Sequence, residues 1–149
     1  MTETFDSIDR HLAVAGSIDR AAIPGGFYVS WCANLGLLTL PAHSDELISR
    51  VRFRDASPIE LYVAGCGGSL EAGHLTYRGV RFTREHFERY LAVCRETFGA
   101  DIYAAEPSWE NYDRLAKVLT VWLLGAPRRS SAQARPAGRF SAWLRKLLT

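Results

Sequence analysis

The side chains best suited to nucleophilic or metal chemistry in this chain are three cysteines and four histidines. A cysteine nucleophile needs an imidazole that takes the thiol proton, and for Cys66 this imidazole could come from His74 or His86. No signature of a cysteine enzyme surrounds Cys66, and no two cysteines form a C-x-x-C pair. We therefore predict buried, reduced thiols, which behave as small hydrophobic side chains. The cysteines are Cys32, Cys66 and Cys94.

Metal and phosphate binding have no better support in the sequence. Zinc sites normally include a close pair of ligands, whereas the histidines are dispersed along the chain. They are His11, His43, His74 and His86. The glycine-rich run at 65–69 lacks both the Lys-Ser/Thr of a phosphate-binding loop and the spacing of a dinucleotide site, so it predicts the end of a helix. We expect no metal site and no cofactor.

General acid–base catalysis would need paired carboxylates, and those present fit helix starts or a solvated face instead. They are Asp45, Glu46, Glu106, Glu110 and Asp113. The sequence therefore predicts a protein without enzymatic activity. An enzyme whose site uses dispersed residues is the weakest alternative, and a pocket that holds Cys66 beside a histidine would strengthen it.

Charge is divided unevenly along the 149 residues. Residues 126–149 carry six basic side chains and no acidic one. Residues 1–125 hold 12 basic against 16 acidic side chains, a net charge of −4, although the whole chain has a net charge of +2. Such a split predicts an acidic body and a basic tail that contacts a membrane, a nucleic acid or the acidic body itself.

The composition predicts one domain with a sizeable core, because 48% of the residues are hydrophobic and 17 are aromatic (seven Phe, six Tyr and four Trp). No run of about 18 apolar residues is present, and the first residues are acidic and polar, unlike a secretory signal. Three widely spaced cysteines do not suggest a disulfide framework. We therefore expect a cytoplasmic protein.

Four helices are expected from apolar spacing and from residues that start or end helices. Pro24 begins the first, which continues to about Gly36. A second is expected over 44–53 with Ser44 as N-cap. Thr83 is expected to cap a third that ends at Gly99, with i,i+4 pairs of charges over 84–89 on its solvated face. Ser108 is expected to cap the last, which ends near Gly125.

Other segments give weaker patterns. The first 23 residues look irregular, and the repeat Ser-Ile-Asp-Arg at 7–10 and 17–20 is read as chance or as two similar turn or cap sequences. Residues 57–65 fit a short helix or a strand, and residues 70–82 alternate in a way that fits a small hairpin. The prediction is a mainly α, compact helical domain with a possible small β-hairpin, and with a helix-rich α+β domain as the alternative.

Domain boundaries follow from composition. We predict a globular helical domain over residues 1–126, a flexible linker over 127–138 and a basic amphipathic tail helix over 139–149. A helix there would align apolar side chains opposite basic ones, a pattern typical of segments that fold against a surface or partner. The tail residues expected to bind a surface are Arg139, Phe140, Trp143, Leu144, Arg145, Lys146 and Leu147.

Two motifs resemble a family of small bacterial domains of unknown function, over about residues 24–120. The motifs are Phe27-x-x-x-Trp31-x-x-x-x-Gly36-Leu37 and Ser108-Trp109-Glu110-Asn111-Tyr112-Asp113-x-Leu115. The resemblance supplies no catalytic residues. It implies an association with bacterial toxins, since small domains of this sort are often encoded beside toxins as immunity proteins. The basic tail lies outside the resemblance.

Two functions of different classes follow. The first is an immunity protein that occludes a cognate toxin, because an acidic body complements the basic toxins that act on nucleic acids. The acids expected to contact the toxin are Glu106, Glu110 and Asp113. The alternative is a peripheral membrane or nucleic-acid adaptor that uses the basic tail.

Overall fold

The computed structural model describes residues 3–125, and it confirms a mainly α fold with a small two-stranded sheet. The α-helices of this part are α1 (Ile8–Ala15), α2 (Ile18–Ala21), α3 (Ile23–Asn34), α4 (Asp45–Arg52), α5 (Tyr77–Phe98) and α6 (Trp109–Leu124). Short 3-10 helices cover Ala42–Ser44, Ala72–His74 and Ile102–Ala104, and a single π-helical turn covers Leu61–Gly65. The strands are β1 (Thr4–Ser7) and β2 (Ser69–Glu71). The predicted tail residues lie outside the described part.

Helix α3 is the centre of the core. Every residue from 23 to 33 is buried, so the helix has no polar face, and Pro24 lies in its first turn, close to the predicted start. A Cβ at Gly26 would lie 2.7 Å from the Cα of Ile59, which shows how closely the segment before the π-helical turn approaches α3. Helices α2, α4, α5 and α6 all contact this central helix.

The N-terminal residues are more regular than the sequence predicted. They form β1, α1 and α2, and the repeated Ser-Ile-Asp-Arg sequences are two helix caps. The hydroxyl of Ser7 accepts a hydrogen bond from the backbone N–H of Arg10, and Ser17 does the same for Arg20, both at 3.3 Å. The helices were missed because they are short, and helix length is what makes an apolar period visible.

The sheet pairs a strand near the N-terminus with a strand that ends at residue 71, instead of forming the predicted local hairpin over 70–82. Strands β1 and β2 are antiparallel, with Asp6 opposite Leu70 and Ser7 opposite Ser69, and the register is irregular between Thr4 and Asp6. The predicted hairpin was therefore wrong in its location. The pairing directs the Asp6 side chain into the protein.

Helix α5 begins at Tyr77, and its N-cap lies seven residues before the predicted one. Thr76 is its N-cap, and the Thr76 hydroxyl accepts from the N–H of Gly79 at 3.1 Å. The predicted cap, Thr83, is buried within the helix, where its hydroxyl bonds the Tyr28 hydroxyl at 2.7 Å. Residues 77–82 thus belong to a helix, and the apparent alternation over 75–82 was a misleading signal.

Helix α6 matches its prediction closely. Ser108 is the N-cap and accepts from the N–H of Asn111 at 3.1 Å, and the helix ends before Gly125. The three cysteines are free and buried, as predicted. Among the described residues, no helix has the length and apolar character needed to cross a membrane.

Candidate interaction surface and buried polar cluster

The three acids predicted to bind a partner lie together at the N-terminal end of α6. Glu106 precedes the helix, and its carbonyl oxygen accepts a hydrogen bond from the Asn111 side chain at 3.0 Å. Glu110 and Asp113 are three residues apart on one face of α6. Glu106 and Glu110 are exposed. The structure therefore brings the predicted acids together, although they do not all have the same environment.

Asp113 differs because it already has a cationic partner. The Arg54 guanidinium donates two hydrogen bonds to its carboxylate, Nη1 to Oδ2 at 3.1 Å and Nη2 to Oδ1 at 2.6 Å. Its hydrogen bonds with Asp113 raise the pKa of the Arg54 guanidinium. The same guanidinium lies over the rings of Trp109 and Tyr112, 5.1 and 5.6 Å from their centroids. Asp113 thus fixes Arg54 in place, which the sequence did not predict.

Arg54 also has an unusual backbone conformation. Its φ of +62° lies in the left-handed region, and among the described residues other than glycine no other φ is positive. This conformation is unfavourable for a side chain with a Cβ, and such strain persists only where the surroundings fix it. The two hydrogen bonds to Asp113 and the stacking on Trp109 supply that constraint.

The rest of the loop after α4 is held by hydrogen bonds. The Asp55 N–H donates to the carbonyl oxygen of Arg50 at 2.7 Å, and the Trp109 indole N–H donates to the carbonyl oxygen of Ala56 at 2.9 Å. The Arg50 guanidinium lies 3.7 Å from the Glu60 carboxylate. These bonds fix both sides of the loop to α4 and α6.

Phe53 projects from this fixed loop and is 78% exposed. Burying a phenylalanine side chain is worth about 1.5 to 3 kcal/mol, and Phe53 gains little of this from folding. An exposed aromatic side chain on a rigid loop loses little entropy when a partner covers it. We use the name Phe53 surface for Phe53, Arg54, Glu106, Glu110 and Asp113.

A second group of polar residues is buried and was not predicted. The carboxylate of Asp6 is fully buried. Its Oδ1 lies 2.8 Å from Nε2 of His11, and its Oδ2 accepts from the Tyr62 hydroxyl at 3.3 Å. Nδ1 of His11 lies 2.6 Å from the hydroxyl of Tyr103. Because a carboxylate can only accept, Nε2 carries a hydrogen, and in the neutral imidazole Nδ1 accepts the Tyr103 hydrogen.

An ion pair lies at the solvent side of this buried cluster. The Arg10 guanidinium donates to both carboxylate oxygens of Glu88, at 3.0 and 2.7 Å, and lies 3.6 Å from Asp6. The hydrogen bonds with Arg10 lower the pKa of Glu88, and the same bonds raise the pKa of Arg10. Arg84 likewise bonds a distant residue, Glu3, at 2.6 Å, so neither of the i,i+4 pairs expected over 84–89 forms.

The hydrogen bonds of the buried cluster connect separate segments of the chain. They tie β1 and α1 to the π-helical turn and to the 3-10 helix at 102–104. Burial raises the pKa of both tyrosine hydroxyls, Tyr62 and Tyr103, so each stays protonated near neutral pH and is a poor nucleophile. The cluster therefore closes the N-terminal segment onto the core.

Among the described residues Cys66 forms no hydrogen bond with His74 or His86, the two histidines considered as partners for its thiol. Burial raises the pKa of Cys66 to about 12 and likewise that of Cys94 to about 12. His74 accepts from the N–H of Glu71 through Nδ1 at 3.1 Å, and His86 lies beside the rings of Phe82 and Trp122. Both histidines thus have packing or capping contacts of their own.

Sequence reasoning located the three acids but missed Phe53, Arg54 and the buried cluster. The signal available for the loop was an aromatic residue followed by Arg and Asp just after a helix of about two turns. The signal for the cluster was weaker, because Asp6 and His11 come from a segment with no clear period. The predicted tail residues, 139–147, fall outside the described part of the chain.

The comparisons with known proteins found no relatives of this chain. No protein-family model matches it, and searches of curated proteins and of solved structures gave no match either. The resemblance of the two motifs to a family of small bacterial domains therefore stays a prediction.

Proposed function

We propose that this protein is a non-enzymatic, cytoplasmic binding protein, and most specifically an immunity protein that neutralises a cognate bacterial toxin by direct contact. The Phe53 surface is the contact region. Phe53 enters an apolar pocket of the toxin, and Glu106 and Glu110 pair with basic side chains around that pocket.

The observation that carries this proposal is the exposure of Phe53 on a fixed loop. Interfaces owe most of their affinity to a few anchors, among which aromatic residues and arginine are enriched. Phe53 is 78% exposed, and the neighbouring Arg54 is held by Asp113. A loop that is already ordered need not be ordered again when it binds.

The charge of the surface supports a basic partner. Glu106 and Glu110 are exposed, and within residues 3–125 neither lies within ion-pair distance of a basic side chain. Free carboxylates beside an apolar anchor attract basic proteins, speed their association and reject acidic ones. Asp113 keeps a supporting role, since its carboxylate is already bonded to Arg54.

The first test is neutralisation in cells. The tagged full-length protein is purified from its native host, and each co-purified protein is expressed alone and together with this chain. We expect one partner to arrest growth alone and to be harmless when this chain is present. Phe53→Ala should lose protection, and Tyr77→Ala should keep it, because Tyr77 is equally exposed, at 78%, but lies on α5.

Two results would contradict the proposal. One is a set of partners of which none arrests growth. The other is full protection by a Phe53→Ala/Glu110→Lys variant, which would place any contact with the toxin elsewhere.

A further inference from the structure

The C-terminal end of α6 lies away from the Phe53 surface and carries different side chains. The ring of Trp122 stacks on His86 with centroids 5.5 Å apart, and the Arg89 guanidinium lies 4.2 Å from the Trp122 ring. Trp122 therefore lies beside the middle of α5. The Arg114 guanidinium, earlier in α6, donates to the carbonyl oxygen of Thr97 near the end of α5 at 3.3 Å, so the two helices are antiparallel and α6 ends towards the start of α5. Since α6 has 16 residues, its two ends are about 24 Å apart, and the Phe53 surface lies at the other one.

Two large side chains with apolar surface are exposed at this end. Tyr77, the first residue of α5, is 78% exposed, and Leu124, the last residue of α6, is 59% exposed. The two helices therefore present an aromatic and an aliphatic side chain outside the core.

Basic side chains accompany them. Arg78 and Arg81 are exposed in the first turns of α5, and within residues 3–125 no carboxylate lies within ion-pair distance of either. The nearby acids Glu3 and Glu85 already face Arg84 and His86, at 2.6 and 3.6 Å. The charge of Arg78 and Arg81 is thus left uncompensated by the described residues.

The amino-acid sequence extends this positive charge. The chain leaves α6 at Gly125, and residues 126–149 add six basic side chains and no acid. Two of these, Arg128 and Arg129, follow within four residues of Gly125. The basic part of the sequence therefore starts at the end of the body that presents Arg78 and Arg81.

We propose that this end of the protein binds the anionic surface of a lipid bilayer, through a Tyr77 surface that consists of Tyr77, Arg78, Arg81 and Leu124. Each arginine near such a surface strengthens binding roughly fivefold. Tyrosine is favoured at the level of the lipid headgroups, and a leucine gains by entering the acyl boundary. A nucleic acid would engage the arginines but would leave Leu124 without a role.

The test uses the full-length chain with vesicles of phosphatidylcholine and phosphatidylserine, and with pure phosphatidylcholine vesicles for comparison. Sedimentation measures the bound fraction against lipid concentration. We expect binding only to the anionic vesicles, with an affinity that falls as salt is added. The double variant Arg78→Gln/Arg81→Gln should lower the affinity by roughly 25-fold, on the basis of fivefold for each arginine.

A matched control removes the same charge elsewhere. Arg20 and Arg52 are also exposed, and the variant Arg20→Gln/Arg52→Gln should keep most of the affinity. Tyr77→Ser should weaken binding and Phe53→Ala should not, since Phe53 lies at the other end of α6. Circular dichroism verifies that each variant is folded.

Three results would overturn this proposal. The first is no binding of the full-length chain to anionic vesicles. The second is an equal loss in the two double variants, which would reduce the effect to net charge. The third is tighter binding to a DNA duplex than to the vesicles with the same dependence on Arg78 and Arg81, which would assign the surface to nucleic acid.

Discussion

Replacing His11 by leucine tests whether the buried cluster holds the N-terminal segment on the core. The substitution removes the group 2.8 Å from Asp6 Oδ1 and leaves a fully buried carboxylate with the hydrogen bond from Tyr62 at 3.3 Å and the Arg10 guanidinium at 3.6 Å. Losing a hydrogen bond to a charged group costs about 1.5 to 3 kcal/mol, because the desolvation of that group is then less well compensated. The total stability of a domain is only about 5 to 15 kcal/mol.

Urea unfolding followed by tryptophan fluorescence measures this loss. For a slope of about 1.5 kcal/mol per M, a loss of 1.5 to 3 kcal/mol moves the midpoint down by roughly 1 to 2 M. His43→Leu is the control, because His43 is exposed, and we expect a change within about 0.5 kcal/mol. In an Asp6→Asn background, His11→Leu should cost clearly less, since the hydrogen bond it removes is then no longer made to a buried charge.

A small effect would refute this reasoning. If His11→Leu lowered the free energy of unfolding by no more than His43→Leu does, the cluster would not hold the segment. The same conclusion would follow if the cost of His11→Leu were unchanged in the Asp6→Asn background.

Three further predictions concern packing, thiols and pH. Gly26→Ala should destabilise the protein by about 1 to 3 kcal/mol, because the new Cβ would lie 2.7 Å from the Ile59 Cα, and a thermal melt with an unchanged midpoint would contradict this. The thiol of Cys66, whose pKa is raised to about 12, should react with a disulfide reagent at pH 8 only after unfolding in urea, so rapid reaction of the folded protein would contradict its burial. The pairing with Arg10 lowers the pKa of Glu88, so its stabilisation is present above the unfolded value near 4.5 and is lost as pH falls through the lower folded value. Glu88→Gln should therefore cost at most about 1 kcal/mol at pH 7 and almost nothing at pH 2, and an equal cost at both values would contradict the ion pair.

The sequence predicted the helices that have strong local signals. Pro24 at the start of α3, Ser108 before α6 and Gly99 after α5 each act through the backbone of their own helix. Such signals do not depend on the rest of the fold. The starts and ends of these helices can therefore be predicted without any knowledge of the tertiary structure.

The start of α5 shows where local signals fail. Thr76 and Thr83 are both acceptable N-caps, and only the fold decides between them. The hydroxyl of Thr83 is used by Tyr28, 55 residues away, which leaves the capping role to Thr76. No pattern within 70–82 contains that information.

The candidate sites were partly predictable for the same reason. Three acids near the start of α6 are visible in the sequence, but the partner of Asp113 is Arg54, 59 residues away. The pair of Arg10 and Glu88 spans 78 residues. Contacts of this kind depend on how helices pack, so neither the fixed loop that exposes Phe53 nor the buried cluster could be derived from spacing.

The most direct test of the proposed function is the affinity of the purified toxin partner for the full-length chain and for two variants, measured by titration calorimetry. Phe53→Ala should weaken binding by about 30-fold or more, as expected for an interface anchor worth 2 kcal/mol, while Tyr77→Ala should leave the Kd within about twofold. Equal affinities of Phe53→Ala and the unchanged protein would contradict the account, because the Phe53 surface would then not be the site of contact.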